Sequence, residues 1–358
     1  MDTRKSPDSA VADLKMPDKV TEVAKQTYRS IGLPLLGMAG GFDLLRRVRR
    51  DSALVLMYHG VIDTGGDRSL LTNVNQVDTA SFSWQIQYLK DNYEVVELST
   101  IVDRIRKHEP VSGLAAITFD DGYLSVFENA APILRGHRLP ATVFLITGLV
   151  GKQEMTWYDK VEAYLLHTSL REITIGDVDY HLDGERETAI RALKHRLSNI
   201  DLESRDRLLA ELVEKAGGLE PKATAPYRLM GWEDVERLRT QGFDFGVHTH
   251  SHPHLTKVPP AKLHLEIDAP AKIVSERLNA PIETLIFCYP DGDWDDTVRD
   301  RVRNTGMRGA MAVKHDLTPP DGDPFALPRV SVSREQTRAM FMEASVGLTA
   351  WLKRYIPI

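Results

Sequence analysis

The chain has 358 residues, 42% of them hydrophobic and 27% charged, with one cysteine and a formal net charge of −6. Such a length and balance suit a soluble globular protein built as one large α/β barrel or two smaller domains. The acidic balance excludes nucleic acid as an expected partner, and a lone cysteine, Cys288, excludes an internal disulfide and a cysteine-based zinc cluster.

Residues 1–50 read as an extension, disordered to about Asp18 and then helical. The first twenty residues lack an apolar stretch and a small-residue cleavage site, so no secretory signal is expected and the chain is expected to be cytoplasmic. Residues 31–41 are apolar but carry Pro34, Gly37, Gly40 and Gly41. They fall short of the roughly 20 residues that a spanning helix needs. Arg46, Arg47, Arg49 and Arg50 follow. A helix docked on the main domain is expected, with a peripheral contact to an anionic membrane, at its inner face, as the alternative.

From Ser52 short apolar runs alternate with helical segments. Strands are expected at 53–58, 93–98, 113–119, 141–146, 243–247, 284–288 and 309–313. Helices are expected at 82–91, 100–107, 124–135, 232–241, 261–278, 294–305 and 335–353. That alternation predicts parallel strands and an α/β architecture over 51–358. Between about 149 and 230 the rhythm changes. A helix over 157–167, a hairpin over 172–182 turning at Gly176-Asp177, and helices over 185–199 and 202–216 read as an insertion beside the barrel.

The motifs that carry chemistry each follow an expected strand. His59 follows the first, Asp120-Asp121 the third, His248 the fifth and Pro290-Asp291-Gly292 the sixth. Parallel α/β folds gather the carboxyl ends of their strands at one face, where sites are built. Adjacent acids at a strand mouth point in different directions, so one can hold a metal while the other faces a reacting group. Four of the 12 histidines lie in His248-Thr249-His250-Ser251-His252-Pro253-His254. His248 and His252 are spaced i, i+4, which sets both imidazoles on one side if the chain turns helical there. A carboxylate would complete a His₂Asp set and leave positions open for water and substrate. His250 alternates away from His248, and His254 follows a proline, so neither is expected to be a ligand. Cys288 reads as a small buried hydrophobe.

Thr118-Phe119-Asp120-Asp121-Gly122, then His248-Thr249-x-x-His252-Pro253, then an aromatic-Pro-x-Gly turn at Tyr289-Pro290-Asp291-Gly292, resemble the polysaccharide deacetylases, the family four carbohydrate esterases with a NodB homology domain. The resemblance covers about residues 52–335. It implies a distorted (β/α) barrel of about seven parallel strands. It also implies that Asp120 is the catalytic base and that Asp121, His248 and His252 bind a divalent metal, zinc first, with cobalt, nickel or manganese as alternatives. Thr249 would support the site, and Asp291 would offer its backbone N–H to the oxyanion. Two features depart from the family. The stretch from Phe287 to Trp294 lacks the arginine that orients the base, and the stretch Leu327-Pro328-Arg329-Val330-Ser331-Val332 lacks the C-terminal histidine used as general acid. Leu56-Met57-Tyr58-His59-Gly60 is similar to the Tyr-His element of the biofilm poly-N-acetylglucosamine deacetylases, which implies His59 as the acid and leaves Arg329 as a candidate partner for Asp120. Tyr123, Pro290 and Trp294 are candidate substrate contacts, and Trp157, Tyr158 and Trp232 are candidate sugar platforms or core residues.

The expected activity is metal-dependent removal of N-acetyl groups from an amino sugar in a glycan or glycolipid precursor. An amidohydrolase or O-acetyl esterase, and an inactive member that binds glycan or metal without turnover, are the alternatives.

Overall fold

The structure, a computed structural model, describes residues 26–49, 51–67, 73–219 and 224–353. The expected disorder before Asp18 lies outside the described residues, as does Arg50. Among the described residues twelve strands are formed: β1 Leu54–Tyr58, β2 Val61–Ile62, β3 Val77–Asp78, β4 Glu94–Val95, β5 Leu114–Phe119, β6 Ala141–Leu145, β7 Glu172–Ile175, β8 Val178–His181, β9 Phe243–Val247, β10 Ile286–Cys288, β11 Gly309–Met311 and β12 Val330–Ser331. Seven of them pair in the order β11-β10-β9-β6-β5-β1-β12, and β4 adds to the near end of β5. All the pairings in this sheet are parallel.

The sheet curls into a distorted barrel whose two faces are both apolar. Every residue of β1, β5 and β6 is buried, as parallel strands covered on both faces require. Alternation along each strand splits these residues into two clusters. Val55, Ala116, Phe144, Ile286, Cys288 and Met311 pack together with Leu98, Ile101 and Val102 of the helix Leu98–Arg106. Leu54, Leu56, Ile117, Phe119, Val143 and Phe287 face the outer helices instead. Inside the ring a Cβ at Gly246 would come within 2.5 Å of Phe144 and of the Ile286 carbonyl, so glycine permits the close approach of β9.

One segment joins the two edges of the curl. Residues 324–327 hydrogen-bond to β11, with Ala310 N donating to Pro324 O and Leu327 N to Ala310 O. The chain then continues into β12 on β1, with Leu56 opposite Val330. A strand as short as Val330–Ser331, so close to Pro328, gave no periodic signal in the sequence.

The remaining differences have local causes. The helix expected at 124–135 begins as a π turn, Val126–Ala130, and continues as Ala131–His137. The helix expected at 261–278 breaks between Leu263–Glu266 and Asp268–Leu278. The helix expected at 335–353 breaks at Gly347, φ 60°, between Arg338–Ser345 and Leu348–Lys353.

Between β6 and β9 the chain forms the helix Trp157–His167, the β7–β8 hairpin and the helices Arg186–Ser198 and Leu202–Ala216. Val161, Leu165, Ile175, Leu182, Leu193 and Leu212 form a core of their own there. At the other end of the molecule, Leu33 and Phe42 of the helices Leu33–Met38 and Gly41–Val48 pack against Ala339, Val346 and Leu348. The opposite sides of these two helices, with the π turn Tyr28–Gly32 before them, leave Ile31, Leu35, Met38, Leu44 and Val48 between 56% and 85% exposed. No helix among the described residues is long and apolar enough to cross a membrane.

Candidate active site

Parallel pairing brings the carboxyl ends of β1, β5, β9 and β10 to one face, and His59, Asp120, Asp121, His248 and Asp291 meet there. A cleft of about 600 Å³ opens between that face and the insertion. His59, Asp120, His248, His252 and Asp291 line its floor, and Tyr158 and Lys194 of the insertion stand opposite.

The Asp pair divides as the pleat predicts. Asp120 leaves β5 towards Arg329, which is fully buried. The guanidinium clasps the carboxylate, Nη1 donating to Oδ1 and Nη2 to Oδ2, both at 2.7 Å. It also donates to Thr118 Oγ1 at 3.0 Å and to Cys288 Sγ at 2.9 Å. Burial alone would raise the Asp120 pKa, but the guanidinium more than offsets it and holds the group well below the usual carboxylate range. Cys288 is therefore more than filler: its thiol lies 3.5 Å from Asp120 Oδ2, and its carbonyl accepts from His248 Nδ1 at 2.9 Å.

Asp121 turns the other way, in the left-handed region at φ 71°. Its Oδ1 lies 3.4 Å from His248 Nε2 and 3.7 Å from His252 Nε2, and its Oδ2 lies 3.9 Å from His59 Nε2. The i, i+4 reasoning for the two histidines fails in one respect. No helix forms, and the loop turns twice instead, with Thr249 at φ 65° and His252 at φ 53°. Thr249 Oγ1 accepts from His252 N at 3.0 Å. Buried Glu266, at the helix break, accepts from His250 N, Ser251 N and the Ser251 hydroxyl at 2.8–2.9 Å. From the insertion, Trp157 Nε1 donates to the His252 carbonyl at 2.9 Å, with the buried Arg205 donating to it at 3.4 Å. A backbone this strained persists only where its surroundings fix it.

Among the described residues nine buried side-chain polar atoms have no hydrogen-bond partner, and five of them surround this point: both oxygens of Asp121, His59 Nδ1, His252 Nδ1 and the Tyr158 hydroxyl. Each such atom costs about 1–3 kcal/mol when left unpaired, so their concentration at one cleft marks a place built for a bound group. Donor atoms of Asp121, His248 and His252 all lie within 4.8 Å of one another. The His248 Nδ1 bond leaves its Nε2 free to ligate. Burial and the neighbouring His248 hold the His252 pKa down to about 4, whereas burial of His248 is outweighed by Cys288 and the Asp121 and Asp120 carboxylates, which raise its pKa, so that His248 must shed its proton to ligate. These residues fit a divalent metal of the kind a His₂Asp set takes.

Two expected substrate contacts are corrected. Tyr123 is buried behind the site, and its hydroxyl donates to Asp159 Oδ2 at 2.7 Å. Trp294 packs on Tyr289, ring centroids 5.9 Å apart, beside Arg299 rather than in the cleft. Core packing claimed the Tyr123 ring, and Trp294 packs at the edge of the core, partly exposed. Pro290 is buried in the turn and sets the backbone of Asp291, which is left-handed at φ 53°. The Asp291 carboxylate meets His254 Nε2 at 3.1 Å, and His250 Nδ1 lies 3.1 Å from Thr147 Oγ1. Glu266 and Arg205 escaped sequence reading because nothing in their local pattern ties them to a loop so far along the chain.

A family model described as polysaccharide deacetylase matches residues 107–310, more than half of the chain. A poly-beta-1,6-N-acetyl-D-glucosamine N-deacetylase of Staphylococcus epidermidis is 22% identical over 315 residues, covering 83% of this chain and 84% of that protein. Its namesake in Staphylococcus aureus (strain MSSA476) is 24% identical over 214 residues, covering 56% and 73%. Two solved structures share the fold. The deacetylase PplD of Streptococcus pyogenes, in complex with acetate, has a TM-score of 0.55 at 16% identity, covering 82% of this chain and 98% of that one. IcaB from Ammonifex degensii has a TM-score of 0.54 at 18% identity, covering 83% and 97%.

Proposed function

Because this chain belongs to the polysaccharide deacetylase family, a family of hydrolases that cleave carbon–nitrogen bonds, we propose that it removes N-acetyl groups from a poly-N-acetylglucosamine-like glycan in a metal-dependent reaction. The observation that carries the reading is the pairing of a candidate ligand set, Asp121, His248 and His252, with a separate carboxylate, Asp120, held ionised by Arg329. A binding module has no use for that second acid.

Asp121, His248 and His252 would hold a divalent ion. Such an ion would supply Lewis-acid polarisation of the acetyl carbonyl and a more acidic water, which a base as weak as Asp120 needs. Asp120 keeps lone pairs beyond those given to Arg329, and it takes the proton of the water that attacks the carbonyl carbon. His59, at the cleft wall near Asp121, gives a proton to the nitrogen as the C–N bond breaks. The Asp291 backbone N–H serves the carbonyl oxygen as it becomes negative. Acetate and a free amine leave.

A lipid-linked acceptor, and a peripheral contact with an anionic membrane, extend the proposal. The support is the outward apolar face at Ile31, Leu35, Met38, Leu44 and Val48 beside Arg47, a pattern suited to the lipid boundary.

Acetate release from β-1,6-linked N-acetylglucosamine oligomers, beside simple N-acetyl amides and acetyl esters, tests the activity. Zinc-loaded wild type should favour the oligomers, and His248→Ala should lose both turnover and bound metal. Faster release from the small amides or esters would overturn the glycan reading. No release from any substrate by a metal-loaded chain would overturn the activity itself.

A further inference from the structure

Among the described residues Tyr158 is the aromatic residue of the insertion that lines the cleft and has a buried polar atom without a partner. Its ring stands edge-on to His252, centroids 4.9 Å apart and planes at 60°. Its hydroxyl is out of solvent and has no hydrogen-bond partner, in the neighbourhood of Asp121. Both chain neighbours are tied down. Trp157 donates from its indole to the His252 carbonyl at 2.9 Å and stacks edge-on against Tyr158 itself at 5.4 Å. The Asp159 carboxylate receives Tyr123 at 2.7 Å and Asn73 at 3.2 Å. Thr156 caps the helix start by accepting from Asp159 N at 3.2 Å. A phenol held between two fixed residues, with its own oxygen unused, is set to donate to something that enters the cleft.

We propose that the Tyr158 hydroxyl is a further catalytic residue, which donates a hydrogen bond to the acetyl carbonyl oxygen as that oxygen takes up negative charge. The proposal rests on the deacetylase reading above. The water oxygen bonds to the carbonyl carbon, the C=O π pair moves onto oxygen, and Tyr158 shares its proton with that oxygen without giving it up. The pair returns as the C–N bond breaks, and the phenol is unchanged over the cycle. The donor is held in place by its neighbours, and the Asp121 carboxylate beside it is a candidate metal ligand, so little rearrangement is needed when the charge appears. Tyr158 is also contributed by the insertion and not by the barrel, so the insertion supplies part of the chemistry and not the cleft wall alone.

The test is Tyr158→Phe, which keeps the ring against His252 and removes the oxygen. Loss of one oxyanion donor lowers turnover about 10²- to 10³-fold. The expected result is therefore a fall in kcat of that order with KM within about twofold, and metal content and melting temperature at least equal to wild type. A second arm needs no glycan. Acetate offers a carboxylate oxygen in place of the charged carbonyl oxygen, and its affinity for the zinc-loaded protein, by titration calorimetry, should fall about 5- to 10-fold in the variant. Unchanged kcat, or a raised KM at unchanged kcat, overturns the proposal, as does unchanged acetate affinity. If wild type itself releases no acetate from any N-acetyl substrate, the deacetylase reading falls, and the calorimetric arm still decides whether Tyr158 meets an anionic oxygen.

Discussion

Replacing Arg329 by methionine should separate the base from the rest of the site. The guanidinium is fully buried and makes two 2.7 Å bonds to Asp120, itself 3% exposed. Methionine fills most of the volume with a flexible apolar chain, so the principal loss is electrostatic. Removing one partner of a buried ion pair costs about 3–5 kcal/mol, because the other charge is stranded. At about 2 °C per kcal/mol for a chain of this size, the melting temperature at pH 7 should fall by roughly 6–10 °C. The sign with pH follows from the depressed Asp120 pKa. In wild type the pair's stabilisation is complete above the unfolded carboxylate value of about 3.9 and fades only as pH falls through the lower folded value. In the variant, the guanidinium no longer opposes burial and only the weaker pull of His248 and His59 remains, so the Asp120 pKa rises and the carboxyl takes a proton sooner on acidification and escapes the penalty. The gap between the two melting curves should therefore narrow as pH drops from 7 towards 5, while the acid limb of kcat/KM moves to higher pH. Arg329→Lys keeps the charge but not the fork and should fall between the two. Melting within 2 °C of wild type at pH 7, with the acid limb unmoved, would refute the reasoning.

Asp159 should behave in the opposite sense. Burial raises its pKa to about 7, so between about pH 4 and 7 the folded chain holds a proton that the unfolded chain has released, and this group's contribution falls as pH rises. Asp159→Asn removes the titration, and its melting temperature relative to wild type should climb from pH 5 to 7.5; a constant difference would show that Asp159 stays ionised. On the N-terminal helices, the pair Met38→Asp and Leu44→Asp should abolish co-sedimentation with vesicles containing anionic lipid and leave acetate release from soluble oligomers unchanged. Equal sedimentation of wild type and variant would end the membrane proposal.

The strand that carries the acid pair was legible because a parallel strand buried on both faces reads as an apolar run ending in acid, as at Phe119-Asp120; β9, interrupted by exposed Asp244, was marked by the histidines that follow it. Arg329 was found by a deficit: the family's usual arginine is missing, and a buried acid still needs a cation. What local pattern could not give was direction. Thr249 and His252 enter the left-handed region because Glu266, Trp157 and Arg205 hold the loop there, and none of those contacts leaves a mark near residue 250. Tyr123 and Trp294 sit beside the motifs in sequence, yet their rings turn into the packing. Tyr158, offered as a platform, lines the cleft with its ring on His252 and its hydroxyl buried without a partner.

The segment that joins β11 to β1 also carries Arg329, 209 positions after Asp120 in the chain. During synthesis, then, β1, β5, β6 and β9 can assemble while their central acid is still without its cation. Contacts so distant in sequence form late, after the closure entropy has been met. The nascent barrel stays open and its acid hydrated until the last strand emerges, and one docking event then shuts the ring and neutralises the interior.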